Sequence, residues 1–130
     1  MARRLKRKVV LTDPNIIRAE ELVEQQYADR AQLRPVYDQL IKFAMSCGEI
    51  VIRVRRTHVS LVAPKRTFAR IQPGKRRVDL GLRLENCKPG GRLELSRIHH
   101  TMRVQIGLSS QDEVDDEVRS LLFQAYAENC

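Results

Sequence analysis

Tryptophan is absent from this 130-residue chain, and Phe and Tyr supply only three residues each. A buried core must therefore be built from Val, Leu and Ile, with aromatic rings as isolated fillers. The three cysteines, Cys47, Cys87 and Cys130, are an odd number with no C-x-x-C spacing, and no His stands at ligand spacing. Neither a disulfide framework nor a zinc site is expected. Long apolar runs are missing too: Val9 to Leu11 stops at Thr12-Asp13-Pro14, short of the ~7 residues of a signal-peptide core. No stretch approaches the ~18 apolar residues of a membrane helix. With no internal repeat, low-complexity segment or linker, the expectation is one reduced, soluble, cytoplasmic domain without membrane association.

Positive charge is abundant. The formal net charge is +8, and it is unevenly placed. Residues 1–8 hold Arg3, Arg4, Lys6, Arg7 and Lys8 without an acid, so residues 1–11 read as a basic flexible arm and residues 12–130 as a single domain. From Arg53 to Arg103, fourteen Lys and Arg face only Asp79, Glu85 and Glu94, whereas residues 104–130 set six carboxylates against Arg119. A basic middle of this kind favours polyanionic partners, and it can also meet an acidic surface on another subunit.

Apolar periodicity assigns the elements. Thr12-Asp13-Pro14 is a helix start, an N-cap oxygen followed by an early proline, for a helix running to about Tyr27. Leu33, Val36, Tyr37, Leu40, Ile41, Ala44 and Cys47 recur at three and four, with Gly48 as a C-terminal stop. That pattern predicts a core helix. From Ile50 the period becomes two, through strands near 50–54, 59–63, 68–72, 78–84, 93–95 and 102–108, punctuated by Pro64-Lys65, Pro73-Gly74 and Pro89-Gly90-Gly91. Ser110 with Glu113 forms a capping box for a last helix striped by Val114, Val118, Leu121, Leu122 and Ala125.

The fold class that follows is α+β: an antiparallel meander of about five to six strands with helices packed on one face, a two-layer sandwich. Alternation leaves the other face to arginine. Arg53, Arg55, Arg70, Arg77, Arg83 and Arg103 are the candidate anion-binding residues, with Gln72 and Gln105 among them. A planar, permanently charged guanidinium donates two parallel hydrogen bonds to phosphate or carboxylate. Only Phe68 is a candidate for stacking on a base, so the pattern is poor in the aromatics of a single-strand reader.

Four segments in order carry a resemblance: Leu33-Arg34-Pro35-Val36-Tyr37-Asp38-Gln39-Leu40, Lys65-Arg66-Thr67-Phe68-Ala69, Arg77-Val78-Asp79-Leu80-Gly81-Leu82-Arg83-Leu84, and Asp112-Glu113-Val114-Asp115-Asp116-Glu117-Val118 with Ala125-Tyr126. Over residues 31 to 127 the chain resembles the bacterial family called domain of unknown function 5655. The family has no assigned activity. In that family the domain occurs alone, beside another uncharacterised domain, or attached to nuclease-like regions, an association that lends mild support to a nucleic-acid context. Relatives often place a His before the Arg-Val of the last strand; this chain has Met102 there, with His99 and His100 just upstream.

Chemistry elsewhere is sparse. His58, His99 and His100 are the only imidazoles, and catalysis by them needs a nucleophile and an orienting carboxylate that spacing does not place beside them. No catalytic residue, cofactor or metal ligand is assigned, and the chain is expected not to be an enzyme. The leading expectation is a binding module for a polyanion such as a nucleic-acid backbone. The alternatives are a protein-interaction or homodimerisation domain and, last, a small-molecule enzyme.

Overall fold

The computed structural model describes residues 9–11 and 16–130. In chain order the elements are β1 (Val9–Leu11), α1 (Ile16–Gln26), a 3₁₀ turn (Ala31–Leu33), α2 (Arg34–Met45), β2 (Ile50–Val54), β3 (Val59–Val62), β4 (Thr67–Pro73), β5 (Val78–Leu82), β6 (Leu93–Leu95), β7 (Val104–Leu108), a second 3₁₀ turn (Gln111–Glu113) and α3 (Asp116–Glu128). The strands form one sheet in the order β1-β2-β3-β4-β5-β7-β6. From β2 to β7 every pairing is antiparallel, whereas β1 runs parallel to β2 with Val9 opposite Ile50. The connection through α1 and α2 supplies the long crossover that a parallel neighbour requires.

Two features refine the expected meander. The chain passes beyond β5 to form β6 and returns as β7 in the space between them. Four of the five β7 residues, Val104, Gln105, Ile106 and Leu108, are buried, while Leu95 of β6 is 68% exposed. The more apolar strand therefore takes the inner position. In addition, the expected arm of residues 1–11 is described only at its end, where Val9–Leu11 form β1. The Thr12-Asp13-Pro14 helix start lies outside the described residues.

The helices cover one face. Leu22 and Val23 of α1, Val36, Leu40 and Ala44 of α2, and Val118, Leu122 and Ala125 of α3 share one cluster with Ile52, Leu61, Ile71, Leu80 and Ile106 of the sheet. Pro35 sits in the first turn of α2, where its missing N–H costs nothing. After α2, Gly48 has φ +151°, and a Cβ there would fall 2.5 Å from the Tyr126 hydroxyl, which donates to the Glu49 carbonyl at 3.1 Å. Glycine is required by backbone and neighbour alike.

α3 begins later than the Ser110 capping box predicts. Ser110 precedes the 3₁₀ turn without a side-chain cap, and Asp115 is the N-cap, accepting from the Val118 N–H at 3.2 Å. Arg92 braces this start. Its Nη1 reaches Asp115 at 2.9 Å and Glu117 at 3.0 Å, and its Nη2 donates to the Glu113 carbonyl at 2.7 Å. Glu113 instead accepts from the Ser109 N–H at 2.6 Å.

Candidate nucleic-acid interface

Strand register decides which arginines are neighbours. Arg53 pairs with Ser60, Ser60 with Arg70, Arg70 with Gly81, Gly81 with Gln105, and Gln105 with Glu94, so these six lie in one row across the open face. At the usual strand spacing, Arg53 and Arg70 stand about 10 Å apart with Ser60 between them. Gln72 pairs with Asp79, and Asp79 with Gly107, in the adjoining row.

At the β5–β7–β6 end the positive charge is already answered. Arg77 forks onto Glu94, Nη2 to Oε1 at 2.8 Å and Nη1 to Oε2 at 3.1 Å, while its Nε lies 2.9 Å from Asp79. Its guanidinium lies flat over Gly107, and any Cβ there would collide with it. Gln105, buried, donates to Glu94 at 3.2 Å and accepts from the Arg97 N–H at 2.9 Å. The hydrogen bonds from Arg77 and then Gln105 hold the Glu94 carboxyl down at about 2. Arg103 pairs with Glu85 at 3.2 Å. Arg83 follows β5, half-buried, and its carbonyl accepts from Asn129 Nδ2 at 3.1 Å.

The β2–β4 end differs in composition and pairing. Residues 50–78 contain nine Lys and Arg and no Asp or Glu. Among the described residues, no carboxylate pairs with Arg55, Arg56 or Arg70. Arg55 and Arg56 are exposed at the β2–β3 turn. That turn is held from below by Gln26 of α1, whose Nε2 donates to the Arg55 carbonyl at 2.7 Å and to the His58 carbonyl at 3.2 Å. Arg70 is half-buried and directs Nη2 at His58 Nδ1, 3.2 Å away. An arginine is only a donor, so His58 Nδ1 accepts and the proton resides on Nε2. Burial first, then the charges of Arg70 and Arg55, push the His58 imidazole down to about 4.

Between the two ends lies a cover that spacing did not reveal. The connection from β6 to β7 folds back over the sheet, so that Met102 and Ile98 stand above Gly81 at 3.0 and 3.3 Å from where its Cβ would be. Met102 is 3% exposed. The same connection brings His99 close enough to Arg70 and His58 for their charges to interact, with His99 and His100 stacked at 4.3 Å between ring centroids. Phe68 is a correction to the expected face. A bulge where Leu61 pairs with Ala69 but Val62 pairs with Thr67 turns Phe68 toward the helices, fully buried and edge-on to Tyr126 at 5.4 Å. No stacking platform remains on the arginine side at that position.

His99, His100 and Ser96 line an open depression of about 450 Å³ together with Arg97 and Arg103, and neither His58 nor a carboxylate is among its lining residues. A groove of about 370 Å³ between α1, α2 and β2 is lined by Val23, Tyr37 and Ile41 with Glu20, Glu24 and Asp38, and contains none of the three His. Among the described residues no group of three or more His, Cys, Asp or Glu is placed to hold a metal ion. The cysteines are free, and burial pushes the Cys47 thiol up to about 11. No described helix is long and apolar enough to cross a membrane.

The family model described as "Domain of unknown function (DUF5655)" matches residues 23–129. The chain belongs to this family. The match begins inside α1 and ends at Asn129, so it takes in α2, β2 to β7 with both ends of the arginine face, and α3. Comparison with curated proteins and with solved structures finds no match.

Asn129 was not singled out by any sequence pattern. It is 1% exposed; its Nδ2 donates to the Ala125 carbonyl at 2.7 Å as well as to Arg83, and its Oδ1 accepts from Arg66 Nε at 2.5 Å. Its own carbonyl takes the Lys65 N–H at 3.1 Å. One buried amide thereby joins α3, the β3–β4 turn and the end of β5. The only local hint was its place after Glu128, where an Asn commonly ends a helix.

Proposed function

We propose that the protein is a non-catalytic binding module for a polyanion, the phosphate backbone of a nucleic acid, and that the contact is the β2–β4 end of the arginine face. The observation that carries this reading is the acid-free segment 50–78, whose Arg55, Arg56 and Arg70 have no carboxylate partner among the described residues. Arg53 extends the same row through Ser60. Arg77 and Arg103, which spacing grouped with them, serve the fold through Glu94, Asp79 and Glu85. With Phe68 turned inward, the contact is with phosphate and not by base stacking, so little sequence preference is expected.

Fluorescence anisotropy with a labelled duplex and its single strand tests this reading. Affinity should fall steeply with salt, and the Arg55, Arg56, Arg70 to Ala triple variant should bind at least about tenfold more weakly, with a salt slope shallower by about one per lost phosphate contact. Equal binding by wild type and variant, or binding indifferent to salt, would overturn it. One observation favours a second reading: Asp112 and Asp116 are exposed at the start of α3, an acidic patch on which the arginine face of another copy could dock. Sedimentation that shows a salt-sensitive dimer lost in the same triple variant would select that reading.

A further inference from the structure

An arginine whose only side-chain partner is a neutral imidazole is poorly satisfied. Arg70 has no carboxylate partner among the described residues, its Nε has no hydrogen-bond acceptor, and its Nη2 is spent on His58 Nδ1 at 3.2 Å. The arrangement holds only while Nδ1 keeps its lone pair. A proton on Nδ1 would set N–H against N–H, so protonation of His58 and its bond to Arg70 exclude one another. An anion seated between the two groups removes the conflict, because a phosphate oxygen accepts from both.

Resting on the polyanion reading above, we propose that Arg70 and His58 form a proton-linked clamp for one backbone phosphate, which replaces His58 Nδ1 as acceptor for Arg70 and is met by an imidazolium formed with a proton from solvent. The balance is simple: one phosphate bound, one proton taken up, no covalent bond made or broken. The groups facing His58 are consistent with this. They are Arg70 from β4, Arg55 from β2, His99 from the β6–β7 connection and the Thr57 hydroxyl at 3.2 Å; Gln26 of α1 touches only the turn carbonyls. Every charged group among them is positive, so the empty clamp resists a proton and the occupied one accepts it. Burial first, and then these positive charges, lower the proton affinity of the free imidazole.

Linkage fixes the sign. If the bound state holds one more proton than the free state, affinity rises as pH falls, by at most about tenfold per pH unit, in the window between the ordinary imidazole value near 6.5 and the free value of about 4. Anisotropy titrations of a labelled duplex at constant ionic strength, from about pH 7.5 down to 5, should show this slope in wild type. His58→Gln should lose the slope and bind with a flat profile across this range. The double variant His99→Gln, His100→Gln should keep the slope. Because His58→Gln could perturb the turn, the His58 ring resonances of wild type should also be followed with pH, free and with duplex, where the titration midpoint should rise on binding.

A wild-type profile that is flat while binding stays salt-dependent overturns the clamp and leaves the polyanion reading standing. So does a His58 midpoint that duplex does not move, or a His58→Gln variant that keeps the wild-type slope. Absence of salt-dependent binding at every pH overturns both.

Discussion

The two ends of the arginine face share one sheet, one alternation and one residue type, yet they do opposite things. At the β5–β7–β6 end three acids arrive with the arginines, and each is used: Asp79 and Glu94 by Arg77, Glu94 again by Arg97, Glu85 by Arg103. At the β2–β4 end no acid occurs between Ile50 and Val78. A count of positive charge treats the ends as equal. What separates them is whether a carboxylate lies within reach across the strands, because a paired guanidinium has its hydrogen-bonding fork filled and its field cancelled. The face is a structural ion-pair lattice at one end, and at the other Arg55, Arg56 and Arg70 have no carboxylate partner among the described residues.

The largest expected effect tests which side of the sheet Phe68 belongs to. Phe68→Ala should cost about 3–5 kcal/mol of stability in urea unfolding, the range for a fully buried ring, and should leave the arginine row intact. A cost near zero would return Phe68 to the open face. Next, Ser60→Glu places a carboxylate between Arg53 and Arg70 and gives the open end the character of the paired one. Duplex affinity should drop about tenfold, the scale of a lost phosphate contact or two, with stability changed by roughly 0.5 kcal/mol or less. Unchanged affinity would mean that the ligand avoids this row.

The smallest effect comes from the converse change. Glu94→Gln releases Arg77 and Arg97 and should strengthen duplex binding a few-fold by anisotropy. It should also alter acid stability in a defined direction. The folded Glu94 carboxyl, held near 2 chiefly by the Arg77 hydrogen bond, lies below the unfolded value of about 4.3. Its contribution is therefore present above the unfolded value and lost as pH falls toward 2. Thermal melts of the variant should be less dependent on pH across that window than those of wild type, and an identical pH dependence would count against the pairing.

The division of the face was legible in sequence only in part. Periodicity of two located every strand from β2 to β7, and the three-and-four pattern located α2, because each signal depends on near neighbours. The content of the ion-pair lattice does not: Arg77 meets Glu94 seventeen positions away. Arg77 reaches Glu94 across the inserted β7, over Gly107, a path that linear order does not display. Phe68 followed alternation in sequence and broke it in space, since one extra residue in a bulge reverses the side on which a side chain emerges. Three residues, Val9–Leu11, are too few to display a period, and the parallel partner that makes them a strand lies beyond two helices. His58 meets Arg70 through the β3–β4 register and His99 through the fold of the β6–β7 connection, and neither approach shows in linear spacing.

The pairing of Val9 with Ile50 has a further consequence. It makes β1 the outermost strand of the sheet, so that along Ile50–Ile52 the backbone donors and acceptors of β2 are already taken and any further strand added at this margin would have to pair with β1 instead.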